Sequence, residues 1–175
     1  MKLADVKTAE TFKIAGIEFI KFSEEDGVVT AVAKDVLVNS AFGSNNNFAQ
    51  SEILKKLETE ILPKIEAEVG AENVLSFETD LLSLDGSDIY GKIKTKISLP
   101  TLDFYRQNVK IFDKYKPNRW WWLSTPDSTE EHSNDSWILC VSPRGCIYDD
   151  GCIYDSYGVR PFCKFVSSIS VSCEE

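Results

Sequence analysis

The sequence predicts one α+β domain spanning residues 1–175. Short β-forming runs punctuated by Gly, Asn and Asp occupy both ends of the chain, and one stretch of helical period lies between them. No boundary reads as an interdomain linker. A chain of 175 residues buries roughly two-thirds of its unfolded surface, enough for a core without staples.

Thr11 to Lys21 reads as a strand, because Phe12, Ile14 and Phe19 are β-formers, with Gly16 as a bulge. Glu24-Glu25-Asp26-Gly27 supplies a turn, and Val28 to Val38 is the return strand. After a polar connection, Asn39 to Asn46, Asn47 is a good helix N-cap with Gln50 placed to reach back to it. Ile53, Leu54, Leu57, Ile61, Ile65 and Val69 then recur at three- and four-residue spacing, which predicts a helix with one buried stripe. Pro63 removes a backbone hydrogen bond, so the helix is expected to kink or split near Leu62 and to stop at Gly70.

Val74 to Leu84 reads as extended and Asp85-Gly86 as a turn; Lys92, Lys94 and Lys96 then alternate with apolar or β-forming residues, the pattern of a strand with one basic face. Leu99-Pro100-Thr101 ends that strand and caps a short helix from Leu102 to Asn108, with Leu102, Tyr105 and Val109 toward the core. The organising stretch follows: Trp120, Trp121 and Trp122 with Leu123. Neighbouring side chains on a strand alternate faces, so at least one ring is core and at least one points elsewhere. A polar loop runs from Ser124 to Ser136. Beyond it Trp137 to Val141 and Gly145 to Tyr148 are strand-like, Asp149-Asp150-Gly151 reads as a hairpin turn, and Cys152 to Tyr154 as the return. Gly145-Cys146-Ile147-Tyr148-Asp149 is echoed in Gly151-Cys152-Ile153-Tyr154-Asp155, which suggests a hairpin with matched arms. Phe162 to Val171 closes the chain as a strand.

Charge and cysteines narrow the function classes. With 28 Asp and Glu against 19 Lys and Arg the formal charge is −9, which opposes attraction to phosphate backbones and anionic lipid, so neither nucleic acid nor membrane is an expected partner. The long helix carries Glu52, Glu58, Glu60, Glu66 and Glu68 where a membrane-surface helix would carry Lys and Arg. The first residues lack a secretory signal, so the chain is expected to be cytoplasmic as synthesised. Five cysteines, an odd count, read as free thiols, and neither their spacing nor the lone His132 suits a metal. No Ser-His-Asp set, phosphate-cradling loop or acid pair is recognisable, so the expectation is a non-enzymatic domain without cofactor.

Trp121-Trp122-Leu123-Ser124-Thr125-Pro126, a polar loop, a glycine-bearing hairpin and Tyr157-Gly158-Val159-Arg160-Pro161 resemble a domain family of bacteria and their phages. Its members carry a Trp-Trp-Leu-Arg-Ser-Pro segment and end in Tyr-Gly-Val-Arg-Pro. The likeness extends to the Asn-capped helix, to Leu81-Leu82-Ser83-Leu84-Asp85-Gly86 and to Leu99-Pro100-Thr101-Leu102-Asp103-Phe104-Tyr105. That family is similar in turn to the C-type-lectin-like fold of formylglycine-generating enzymes and of the variable target proteins of diversity-generating retroelements. The resemblance implies small, twisted, mostly antiparallel sheets with one longer kinked helix and one short helix, displaying a ligand-binding face. Ser124 stands where the family pattern has Arg, which removes one charge from the base of the loop.

By position, the resemblance places the binding surface at Trp121, Arg144, Tyr148, Asp149, Asp150, Tyr154 and Asp155. Tyrosine with aspartate suits recognition, since Tyr offers rigid amphipathic area at low entropic cost. Tyr148 and Tyr154 fit equally well as ordinary cross-strand partners. Trp122, Gly158, Arg160 and Pro161 read as structural: Gly158 for a close-packed backbone, Arg160 for its five donors, Pro161 to fix the exit. The expected function is a phage- or prophage-associated recognition domain for a protein or glycan, with a virion as one destination. The alternative is an intracellular acidic inhibitor or accessory protein that binds a basic host or defence protein.

Overall fold

The computed structural model describes residues 1–154 and 157–173, so Asp155, one of the expected contact residues, lies outside the described residues. Strands Thr11–Ile14 (β1), Ile17–Glu25 (β2), Val28–Ala33 (β3), Val38–Asn39 (β4), Val74–Leu75 (β5), Phe77–Asp80 (β6), Lys92–Thr95 (β7), Ile97–Ser98 (β8), Trp121–Pro126 (β9), Trp137–Val141 (β10), Ile147–Gly151 (β11), Gly158–Val159 (β12) and Phe162–Val166 (β13) form three mostly antiparallel sheets. The first has the order β1-β2-β3-β13-β5, with β8 also pairing with β13; the second has the order β11-β10-β9-β12-β4; the third is the pair β6-β7.

The expected strand from Thr11 to Lys21 is in fact a hairpin. Ala15 and Gly16, at φ +53 and +74, form a two-residue turn between β1 and β2, a better use of glycine than a bulge. Asp26-Gly27 turns the chain between β2 and β3 as expected. Asn47 caps only the short 3₁₀ turn Phe48–Gln50, its side chain accepting from the Ala49 N–H. The helix proper starts at Ser51, whose hydroxyl accepts from the Leu54 N–H at 3.0 Å. It runs as Glu52–Lys56 (α1), a wide π turn Leu57–Ile61, and Leu62–Val69 (α2), ending at Gly70 with φ +89. Pro63 has no N–H to give, and the widened turn lies immediately before it, which is how the chain passes a proline without breaking.

Thr101 caps helix Leu102–Gln107 (α3), and Asn108 separates it from a further helix, Val109–Lys114 (α4). Val109, expected toward the core, is exposed, because the break at Asn108 starts a new helix phase there. On β7, Lys94 and Lys92 lie opposite Glu78 and Asp80 of β6, and Lys96 reaches Glu66 at 2.7 Å. The basic face is thus met by carboxylates.

The tryptophan triplet divides as strand geometry requires. Trp122 enters the core shared by the first sheet and α1–α2, with its indole N–H on the Ser40 carbonyl at 2.9 Å. Trp121 enters a second core with Tyr105, Phe112 and Leu139 beneath α3 and α4. Trp120 is half-buried at the surface.

Two chain crossings join the first and second sheets. From β3 the chain passes to β4, and from β12 it passes to β13, side by side: the Leu37 N–H bonds the Val159 carbonyl at 3.0 Å and the Ala33 N–H bonds the Pro161 carbonyl at 2.8 Å. Between those rungs the ladder is interrupted, and Arg160 fills the gap. Its Nε donates to the Ala33 carbonyl at 3.0 Å and its Nη2 to the Lys34 carbonyl at 2.9 Å. The guanidinium lies 4.5 Å from the centre of the Trp121 ring and 5.4 Å from that of Phe112, and it is fully buried. Gly158 fits against Val36, where a β-carbon would come within 2.4 Å of a methyl group.

Candidate recognition surface

The hairpin at the open end of the second sheet differs from the expected one. β10 pairs with β11 in the register Val141 to Ile147 through Trp137 to Gly151, so Asp149-Asp150-Gly151 is strand and the turn is Ser142 to Cys146. The Gly145 N–H bonds the Ser142 carbonyl at 2.9 Å, Pro143 holds the second turn position and Gly145 has φ +86. Proline and a left-handed glycine at these two places outcompete the Asp-Asp-Gly segment as a turn.

The echoed pentapeptides are therefore not matched arms. The first runs from the turn into β11; the second leaves the strand and curls, with the Tyr154 N–H on the Gly151 carbonyl at 3.2 Å. Cys152 is buried, and its carbonyl accepts from the N–H groups of Phe42 and Gly43 at 2.8 and 3.0 Å, while the equivalent Cys146 is exposed.

Of the expected contact residues, Tyr148, Asp149 and Asp150 lie on β11, Arg144 in the turn before it and Tyr154 just after it. Arg144 is exposed in the turn, Tyr148 is 52% and Tyr154 53% exposed, and Asp149 is exposed on the strand. Asp150 is instead tied down: it accepts from the Tyr157 hydroxyl and from the Gly151 N–H. Burial and that contact push the Tyr157 hydroxyl's pKa up. Trp121, at 1% exposure beneath Arg160, offers nothing to a ligand. Within the triplet, the indole that reaches the surface is Trp120, stacked on Tyr157 at 5.6 Å and meeting Tyr148 edge-on at 5.1 Å. Tyr157 in turn packs on Trp122 at 4.7 Å, so an aromatic chain leads from core to surface.

Sequence reasoning missed other exposed apolar groups here. Trp137 is 44% exposed, Ile153 is 75%, and Ile147 lies at the edge. Trp137 begins the alternation of β10, and a tryptophan at a strand's wet end was the available signal. The surroundings are acidic. Between residues 121 and 157, Arg144 is the only Lys or Arg, against Asp127, Glu130, Glu131, Asp135, Asp149, Asp150 and Asp155. Burial, then the charges of Asp149 and Asp85, raise the Asp127 carboxyl above its ordinary range.

A second cluster escaped the sequence reading. The loop after β6 docks on the loop after β9, where Asp85 accepts from Ser128 at 2.6 Å and from Ser83 at 2.5 Å, and His132 Nδ1 lies 2.8 Å from it. These bonds, that of Ser128 first, hold the Asp85 carboxyl far below the usual carboxylate range. The hydroxyl and the imidazole converge on the same carboxylate oxygen, so the imidazole does not stand between acid and hydroxyl as in a nucleophilic relay. Beside it runs a groove of about 270 Å³ lined by Asp80, Leu82, Leu84, Thr101, Asp103 and Arg106.

The thiols divide by environment. Burial, with Asp150 and Asp149 nearby, pushes Cys140 up to about 12, and burial raises Cys152 and Cys163 as well, so all three hold their protons at neutral pH. Among the described residues no group of three or more His, Cys, Asp or Glu side chains could hold a metal ion, and no helix is long and apolar enough to cross a membrane.

In comparisons with known proteins, no family model, curated protein or solved structure matches the chain.

Proposed function

We propose that this chain is a non-enzymatic recognition domain of C-type-lectin-like architecture, phage- or prophage-associated, cytoplasmic as synthesised, and built to present the face around β11 to a protein or glycan. The observation that carries the reading is the contrast across Trp120: behind it Tyr157 and Trp122 form a packed base, and in front Tyr148 remains exposed, with Tyr154 exposed just beyond β11 and Asp149 and Trp137 exposed on the opposite face of the same sheet. Exposed aromatics on a rigid support are characteristic of binding surfaces, and monomeric proteins seldom leave such groups clustered without use. The packing of Arg160 on Trp121 supports the resemblance, because it joins the two most specific motifs of that family pattern.

The test is capture from host lysate and on a glycan array by the immobilised protein. The double substitution Tyr148→Ala and Tyr154→Ala should reduce capture by about 100-fold, the loss expected of two central aromatic contacts at about 1–2 kcal/mol each. Unchanged capture refutes the reading.

The second reading, an acidic inhibitor or accessory protein for a basic partner, is favoured by the single cation among the seven carboxylates of residues 121–157. A partner released between about 50 and 500 mM salt supports it, since screening weakens exposed charge pairs.

A further inference from the structure

We infer that the outer edge of β11 is a docking site for an extended, Lys- or Arg-bearing segment of a partner protein, which adds to the second sheet as one more strand. This rests on the recognition reading above and specifies its partner and mode.

β11 ends the strand order of its sheet. Which of its backbone groups face outward follows from two bonds: the Cys152 N–H donates to the Ser136 carbonyl at 2.8 Å, and the Ser142 N–H donates to the Cys146 carbonyl at 2.9 Å. Hydrogen-bonded pairs alternate along an antiparallel ladder, so Tyr148 and Asp150 direct their N–H and C=O toward β10. Those of Ile147 and Asp149 face away. Among the described residues nothing pairs with these four groups, whereas Gly151 is already closed by the Asp150 carboxylate and the Tyr154 N–H. The edge thus offers donors and acceptors at the two-residue repeat of about 6.8 Å that another strand carries and a glycan does not.

Charge selects the occupant. Asp149 lies at the centre of the open edge, within electrostatic reach of Asp127; the cations by the hairpin, Arg144 and Lys116, both sit at its turn, Lys116 beside Gly145. A second copy pairing its own β11 would bring Asp149 toward its counterpart, on a molecule of formal charge −9. A strand with alternate Lys or Arg would set its cations beside Asp149, on the face that Asp149 shares with Ile147, and its apolar side chains beside Tyr148 on the other face. The competing account is that Asp149 merely guards the edge against any pairing.

The probe is a capped octapeptide of alternating Lys and Val, added at about 1 mM to the full chain, with amide hydrogen exchange read by NMR. Exchange at Ile147 and Asp149 should slow by about 10-fold or more, as expected for amides that enter a ladder. The same peptide with Glu for Lys, or with alternate amides methylated, should give no protection. Asp149→Asn removes the charge, and Asp149→Pro removes the charge and the outward N–H, a place where a strand tolerates proline. Binding should fall about 3-fold for the first and about 10-fold further for the second, one exposed charge pair and then one backbone bond. If Asp149→Pro does not melt like the parent, the methylated peptide decides. Absence of protection, protection by the Glu peptide, or dimerisation through β11 without peptide overturns the inference. Loss of lysate capture in the tyrosine double variant alongside unprotected edge amides would leave the recognition reading standing and remove only this mode.

Discussion

Arg160 is the position at which the fold can be tested most sharply, because charge and shape predict different outcomes there. The side chain is buried, and burial lowers its pKa to about 10, a shift worth about 3 kcal/mol against keeping the charge inside. Against that cost stand two bonds to the carbonyls of Ala33 and Lys34, in the gap between the Ala33–Pro161 and Leu37–Val159 rungs where the two chain crossings run side by side. Arg160→Met relieves the desolvation but leaves both carbonyls without partners, at about 1–3 kcal/mol each, and forfeits about 0.5–2 kcal/mol of stacking on Trp121. The net expectation is a loss of about 2–4 kcal/mol, seen as a lower urea midpoint at unchanged slope and a Tm lower by about 5–15 °C. Arg160→Lys keeps the buried charge, reaches one carbonyl at best and cannot stack as a plane, so it should be no more stable than Arg160→Met. Equilibrium urea unfolding of both variants settles the matter. If Lys restores more than half of the lost stability, positive charge holds the crossing, and the guanidinium's fork is not what braces it.

The neighbouring Gly158→Ala drives a methyl into Val36 and should cost about 1–3 kcal/mol in the same assay, while Gly158→Ala with Val36→Ala should recover most of it. Asp85 has a folded pKa below its unfolded value of about 3.9, so its bonds stabilise fully above that pH and are lost as pH falls through the lower folded value. Asp85→Asn should therefore be less stable than the parent at pH 7, with the gap closing in acid below about pH 4, and a pH-independent gap would refute the assignment. Asp127 carries the opposite sign, since its raised pKa penalises the ionised form: Asp127→Asn should be more stable than the parent at neutral pH, and the advantage should vanish below about pH 4. A thiol reagent at neutral pH should modify Cys146 and Cys173 in the native protein, with Cys140, Cys152 and Cys163 reacting only on unfolding.

Local signals in the sequence are strongest where one residue type has one use. Asp26-Gly27, Thr101 and Gly70 act as their chemistry implies, and the adjacency of Trp121 and Trp122 requires that the two rings serve opposite faces. The sequence misleads where two signals compete over a few residues. Gly16 has the look of a bulge because the flanking apolar residues are continuous, although Ala15 also adopts positive φ and the pair closes a hairpin. Asp149-Asp150-Gly151 has the composition of a turn, whereas Ser142-Pro143-Arg144-Gly145 wins by placing proline and glycine at the two positions with backbone demands. The Asp85 cluster is illegible for another reason: its Ser128 and His132 partners lie more than 40 residues away, and only the docking of one loop on another joins them.

The same distinction separates base from surface in the candidate site. The motif assigns Trp121 to the ligand face, yet a residue that lines the pocket of a buried guanidinium cannot also meet a partner. Trp120 can, because the parity of β9 places it on the face of Trp122 while its position before the strand leaves it half open. Tyr157 then fixes it from below and holds Asp150. Substitutions at Trp120 and Tyr157 should therefore lower stability and binding together, whereas Tyr148, Asp149 and Arg144 extend past the last packed ring. Changes at those three should leave the melting temperature within about 2 °C of the parent, the effect of a surface substitution, while altering what is bound. That separation allows one fold to carry different contact residues. It follows from the geometry of the aromatic chain.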